Sequence, residues 1–339
     1  MDKSAFFYEL PVELVAQSPA DPRDSSRLLI YNRETTAIKH TFFNDIINYL
    51  NPGDVLVLNN TRVTPARLFA KDDAGRNVEI LLLKREAYDV WEAIMRPTKA
   101  VKPDLYYTIA EGFSFKLIEV LPDGVRRIQF YFDGVFEDLL LKNGVMPLPP
   151  YIKKKLKDPE RYQTVYSKIE GSAAAPTAGL HFTPRLLDRI REKGVIIVEI
   201  LLHVGLGTFR PVKTKNINDH KMHSEYYEIS EEVADIINLA KIQNRRVIAV
   251  GTTTTRTLES ASDENGFITA QKNDTDIFIH PPYKFKVIDG LITNFHVPES
   301  SLLMLMAALV GHKEILDIYR IAIKKEYRFF SFGDAMFVE

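Results

Sequence analysis

Apolar and polar positions follow one rhythm at both ends of this chain and another in the stretch between. From Arg27 to Tyr31 and from Thr36 to His40, two short runs flank Asn32-Arg33-Glu34, a pattern that predicts a hairpin. Phe43 to Leu50 has helical spacing and stops at Asn51-Pro52-Gly53, after which Asp54 to Leu58 (DVLVL) reads as a buried strand. Between about Thr61 and Pro147 the spacing becomes that of short β-rich runs: NVEILLLK, VWEAIM, FSFKLIEV and RRIQFYF. Asp73-Ala74-Gly75, Pro122-Asp123-Gly124 and Asp133-Gly134 punctuate them as turns, because their glycines supply positive φ. Regular short strands of this kind predict a small barrel or sandwich inserted into a larger domain.

The segment MPLPP, three prolines in four positions, stiffens the far boundary, and helix then alternates with strand. Thr183 as N-cap with Pro184 at N1 opens a helix whose Leu186, Leu187 and Ile190 share a face, and Gly194 closes it before a strand from Val195 to His203. Ser230 opens a second helix carrying Val233, Ile236, Ile237 and Ala240, which leads through Asn244-Arg245 into the strand Val247 to Val250. FKVI, Asp289-Gly290 and LITNF predict a hairpin, and Ser300 to Val310 an apolar helix too short to span a bilayer. The expected fold class is α/β with mixed α+β character. A larger α/β domain, residues 1–60 with 148–339, carries a β-rich insert at 61–147.

Composition changes this picture in three places. With 44 Lys plus Arg against 45 Asp plus Glu the chain is nearly neutral, which excludes a histone-like polyanion binder but permits a local basic patch. Lys153, Lys154, Lys155 and Lys157 are such a patch, with a solvated helix face as the plainer reading. The absence of cysteine excludes disulfides, thiolate metal sites and cysteine nucleophiles. The start, MDKSAFFYELPVE, has no apolar signal region and no run approaches the ~18 apolar residues of a membrane span, so a cytoplasmic protein is expected.

Four segments of the C-terminal half carry candidate chemistry. In SAAAPTAGLHFTP, residues 172–184, small side chains permit close backbone approach to a ligand and lead to a capped helix N-terminus, although tight packing of a loop explains them equally. HVGLGTFRPV places Gly205, Gly207, Thr208 and Arg210 after a strand; without a third glycine it is no dinucleotide fingerprint. VGTTTTRTLES runs a strand into Gly251 and four threonines with Arg256 a turn further on, a plausible anion cradle without the lysine of an NTP-binding loop. Capping by one threonine is the alternative there. His220 and His223, with His181, His203, His296 and Glu225, suggest zinc, but H-x-x-H without the metalloprotease glutamate is nonspecific, and no metal ligand is assigned.

Taken in order, YELPVELVAQSPADPRDSSRLL, GDVLVLNNTRVTPARL, RYQTVYSKIEGSAAAPTAGLHFT, HVGLGTFRPV, KMHSEYYEI, VGTTTTRTLES, DGLITNFHVPESSLLMLMAAL and YRFFSFGDAM resemble the S-adenosylmethionine:tRNA ribosyltransferase-isomerase family of queuosine biosynthesis. The resemblance covers nearly the whole chain. It implies transfer and isomerisation of the ribosyl moiety of S-adenosylmethionine onto 7-aminomethyl-7-deazaguanine at the tRNA wobble position, forming epoxyqueuosine and releasing adenine and methionine. S-adenosylmethionine is then consumed and no resident cofactor is implied. It further implies an α/β domain interrupted by a barrel, with tRNA and S-adenosylmethionine as partners and a monomer as the expected state.

Carried onto this sequence, Ala175, Thr177, Gly179, Phe182, Gly205, Gly207, Thr208, Gly251, Thr252, Thr253 and Arg256 would line the S-adenosylmethionine site, with Phe182 stacking adenine or belonging to the core. His181, His203, Glu225, His296 and Asp334 are the acid/base candidates, their individual roles open. Arg62, Arg67, Lys153, Lys154, Lys155, Lys157 and Arg161 are the candidate tRNA contacts. Pro282 departs from the family, which has glycine there. A zinc hydrolase and a non-enzymatic RNA-binding module are the rival readings.

Overall fold

The computed structural model describes residues 1–97, 101–103, 105–121, 124–205, 212 and 214–339. It divides into two compact units, Met1–Arg62 with Pro150–Ile169 and Ala175–Glu339, and Val63–Pro149 with Glu170–Ala174. Numbered along the chain, the first strands are β1 (Arg27–Tyr31), β2 (Ile38–Phe42), β3 (Val55–Asn59), β4 (Thr61–Val63), β5 (Arg67–Lys71) and β6 (Asn77–Arg85). There follow β7 (Val90–Arg96), β8 (Tyr106–Ala110), β9 (Phe113–Val120), β10 (Arg126–Phe132), β11 (Ile169–Ser172) and β12 (Ile196–Leu202). The last are β13 (Glu225–Ile229), β14 (Val247–Val250), β15 (Gln271–Thr275), β16 (Gly290–Asn294) and β17 (Ala335–Val338). The helices are α1 (Phe136–Asn143), α2 (Pro184–Glu192), α3 (Glu231–Ile242), α4 (Thr252–Ala261), α5 (Ser301–Val310) and α6 (His312–Lys324).

The larger unit is built on a mixed nine-stranded sheet in the order β15-β13-β12-β3-β14-β16-β17-β1-β2. β12, β3, β14 and β16 run parallel, so their carboxyl ends share one edge. β17 is antiparallel to β16 and parallel to β1, which brings the starts of β17 and β1 to that same edge. Continuous apolar runs suit strands covered on both faces, and every residue of β3 and β14 is buried. Leu56, Leu58, Ile248, Val250, Ile292 and Phe337 of the sheet pack with Leu186, Leu187 and Ile190 of α2 and with Phe43 and Ile46. The Thr183 hydroxyl caps α2 by accepting the Leu186 N–H at 3.2 Å, and Ser230 caps α3 through the Val233 N–H at 3.3 Å.

The other unit holds a closed antiparallel barrel, β10-β7-β6-β5-β8-β9. The four runs read as strands are β6, β7, β9 and β10; β5, β8 and α1 were not foreseen. Phe113, Phe115, Ile128 and Phe130 alternate inward, and Phe136 of α1 joins them in the core. Gly75, Gly124 and Gly134 all adopt positive φ, as the turn readings required, while Pro122 and Asp123 lie outside the described residues.

Three local expectations are corrected. The hairpin at 285–294 does not form: β16 pairs with β14 and β17, while the N–H groups of Lys286, Val287 and Ile288 donate to the buried Glu259 carboxylate. A carboxylate thus supplies the acceptors a partner strand would have offered. Residues 153–157 are not helical, since Tyr151 and Lys153 are tied through their backbone to the Gln17 side chain at 2.9 and 2.8 Å. No threonine caps α4: Gly251 is the cap residue, and all four threonines lie inside the helix.

Candidate functional site

The segments singled out for chemistry meet at the carboxyl edge of the parallel strands, where open α/β sheets bind their ligands. Asn59, ending β3, ties the ends of β3 and β12 to the start of α4. Its Oδ1 accepts the N–H of Thr61 and of Leu202, each at 3.1 Å, and its Nδ2 reaches Leu202 O at 3.0 Å and Thr253 Oγ1 at 3.4 Å. Beyond β14 the chain turns through Gly251 at φ 91°, a conformation that excludes a side chain on strain even though the nearest atom to an added Cβ, in Ala178, is 3.7 Å away. The small-residue loop therefore abuts the start of α4.

Within α4, Thr254 and Thr255 donate their hydroxyls back to the carbonyls of Val250 and Gly251, at 2.7 and 3.2 Å. Arg256 is 3% exposed; its Nη1 pairs with Glu225 at the start of β13 and its Nε donates to Ile277 O at 3.2 Å, but Nη2 has no hydrogen-bond partner among the described residues. Glu225, itself buried, accepts the Gly205 N–H at 2.8 Å on its other oxygen.

Three histidines lie on this edge in different states. His181 is enclosed: it stacks on Phe43, its Nδ1 faces Ser26 Oγ at 2.8 Å and its Nε2 faces the Asn294 amide nitrogen at 3.1 Å. Thr177 donates to Asn294 Oδ1, which orients the amide so that its nitrogen donates to His181; the ring proton then sits on Nδ1. Burial pushes His181 down to about 4, against the pull of Asp334. His296 is also buried and pushed down to about 3, with Nε2 at 2.9 Å from Thr293 Oγ1. His203 is only half-buried. Its Nδ1 meets Thr61 Oγ1 at 2.9 Å, Nε2 has no hydrogen bond among the described residues, and burial lowers its pKa against the opposing charge of Glu228.

Comparison with known proteins decides the family. The model of the family described as queuosine biosynthesis protein matches residues 3–338. The chain belongs to the queuosine biosynthesis protein family. Curated S-adenosylmethionine:tRNA ribosyltransferase-isomerases are similar to it over full length. That of Acetivibrio thermocellus is 55% identical over 100% of both chains, and that of Desulfitobacterium hafniense 56% identical over 98% of both. A solved S-adenosylmethionine tRNA ribosyltransferase from Thermotoga maritima matches with a TM-score of 0.57 at 37% identity, covering 99% of this chain and 100% of that one.

In this queuosine biosynthesis protein the candidate residues fall into distinct settings. Phe182 is completely buried, edge-on to Phe43 in the core, the second of the two settings expected for it. Both oxygens of Asp334 are engaged: they accept the N–H of Arg27 and of Arg328 and the Arg328 guanidinium, at 2.8–3.2 Å, so it fixes a turn. Gly179 is required by space, because an added Cβ would lie 1.9 Å from the Tyr166 hydroxyl. Gly207 and Thr208 lie outside the described residues.

Among the candidate tRNA contacts, Lys153, Lys154, Lys155 and Lys157 are all exposed. Arg62 pairs with Glu160, Arg67 with Glu79 and Arg161 with Asp21. Sequence reasoning missed Asn294, Ser26, Glu259 and Tyr166. Asn294 had a legible signal, a polar residue closing the apolar run LITN just before a histidine; the others show their roles only in three dimensions. Among the described residues, no group of three or more His, Cys, Asp or Glu is placed to hold a metal ion, and no helix is long and apolar enough to cross a membrane.

Proposed function

We propose that this chain is an S-adenosylmethionine:tRNA ribosyltransferase-isomerase. It transfers and isomerises the ribosyl moiety of S-adenosylmethionine onto 7-aminomethyl-7-deazaguanine in the wobble position of tRNA, giving epoxyqueuosine, adenine and methionine. Full-length identity of 53–56% to curated enzymes of that name carries the reading. The meeting of the four singled-out segments at one sheet edge supports it.

S-adenosylmethionine is a substrate here, bound along Ala175, Thr177, Gly179, Gly205, Gly251, Thr252, Thr253 and Arg256. The reaction needs a proton removed beside the sulfonium and one delivered to the departing adenine. His203 is the acid/base residue of choice, because its Nε2 has no hydrogen bond among the described residues and its ring is half-exposed, whereas His181 and Asp334 have every polar atom bonded. Burial favours a neutral His203 ring, suited to taking the first proton. The exposed lysines at 153–157 meet tRNA phosphates, and the enzyme acts as a cytoplasmic monomer.

Adenine release, followed by chromatography, tests this. Adenine and methionine in equal amounts, only with tRNA carrying 7-aminomethyl-7-deazaguanine, is the expected result; no release from folded protein would overturn it. His203→Asn should lower kcat by about 10²–10⁴-fold and remove the acidic limb of the pH profile.

A further inference from the structure

The Arg256 guanidinium is the least satisfied charged group on the edge that gathers the candidate segments. It is 3% exposed, two of its nitrogens are held by Glu225 and Ile277 O, and the third has no hydrogen-bond partner among the described residues. Leaving a buried donor unpaired costs about 1–3 kcal/mol, and more on a charged group, so such a nitrogen calls for an acceptor. The rest of the fork cannot turn to find one. Glu225 grips Nη1 while being fixed itself by the Gly205 N–H, so Nη2 points in a set direction. The threonine hydroxyls nearby on α4 do not compete for the acceptor, since Thr254, Thr255 and Thr257 spend theirs on carbonyls one turn back.

Resting on the reading above, we propose that Arg256 Nη2 receives the α-carboxylate of the methionine moiety of S-adenosylmethionine and makes the enzyme selective for a carboxylated donor. The charge balance favours this group over a tRNA phosphate. Arg256 and Glu225 together are neutral, which suits the zwitterionic amino-acid end of the donor, whereas a phosphodiester brings an uncompensated negative charge. Glu225 acts as a positioning residue, holding the fork in place. A charge-assisted bond of this kind favours a guanidinium over an ammonium, because only the planar fork can hold Glu225 and a second carboxylate at once.

The test compares S-adenosylmethionine with its decarboxylated analogue on the wild-type enzyme, by calorimetric binding and by adenine release with the modified tRNA. The analogue should bind and react at least 100-fold less well. Equal binding and turnover, within threefold, would overturn the proposal while leaving the transferase reading intact, and would assign Nη2 to a water molecule. If S-adenosylmethionine itself neither binds nor releases adenine, both readings fall. Arg256→Lys should shrink the discrimination to under tenfold by weakening S-adenosylmethionine alone. Full discrimination retained in a folded Arg256→Lys protein would also overturn the proposal, and if that variant does not fold the two donors on wild-type enzyme still decide.

Discussion

At the scale of single residues, two glycines on the same edge are glycine for opposite reasons. Gly251 has room but a backbone at φ 91°, so its side chain is excluded by conformation; Gly179 is excluded by space, with the Tyr166 hydroxyl and Thr164 methyl where a Cβ would go. Sequence alone offered close approach of a ligand or tight packing as the use of Gly179, and the collision with Tyr166 makes packing sufficient. Gly179→Ala should therefore destabilise the fold by about 1–3 kcal/mol, read as a lower urea midpoint. The Tyr166 hydroxyl is buried without a hydrogen-bond partner among the described residues, so Tyr166→Phe should cost little, and in that background Gly179→Ala should be milder, because the atom at 1.9 Å is gone. Strict additivity of the two changes would show that the clash is relieved elsewhere.

At the scale of elements, the legible parts were those whose signal is local. Thr183-Pro184 and Ser230 fix helix starts through their own hydroxyls, and the alternation in FSFKLIEV sets a strand whatever surrounds it. The failures required distant partners. FKVI has the composition of a strand, yet Glu259 takes its N–H groups from another helix, and the run of threonines reads as a loop until α4 is seen to begin at Thr252. The lysine segment belongs to the same class: a run predicted as a helix face is a non-helical segment with four exposed charges, anchored at Tyr151 and at the Lys153 N–H. Exposed ammonium groups are suited to phosphates, and each contact contributes about 0.9 to the salt slope of binding. Replacing Lys153, Lys154, Lys155 and Lys157 with Ser should lower that slope for tRNA by about 2–4, with S-adenosylmethionine affinity unchanged. An unaltered slope would mean that the lysines are only a solvated surface.

At the scale of the whole molecule, a β-rich insert in an α/β domain followed from the change of rhythm along the chain and its barrel form from the family resemblance, but the convergence of the site followed from neither. Asn59 and Asn294 end two strands, and His203 and Gly251 directly follow two others, that lie side by side only because β12, β3, β14 and β16 run parallel, an order no local pattern encodes. That convergence carries a thermodynamic consequence for the fold. His181 and His296 are buried neutral on this edge, held near 4 and 3 against an ordinary value of about 6.5. Between those limits the unfolded chain binds protons that the native state refuses, so stability rises with pH there: it is complete above about 6.5 and is lost progressively as pH falls toward 4 and then 3. Carboxylates held low, such as Asp72, lose their contribution only below the carboxylate range, so the window from pH 6.5 to 5 isolates the histidines. Calorimetry across that window should show Tm falling on acidification, with close to two protons taken up on unfolding by these rings at pH 5 and a smaller contribution from the half-buried His203. His181→Asn, read against the wild type, should remove about one of those protons from the slope even if it lowers the absolute stability. A flat Tm between pH 6.5 and 5 would mean that the edge admits charged imidazoles, and the neutral, enclosed setting argued for His181 would be wrong.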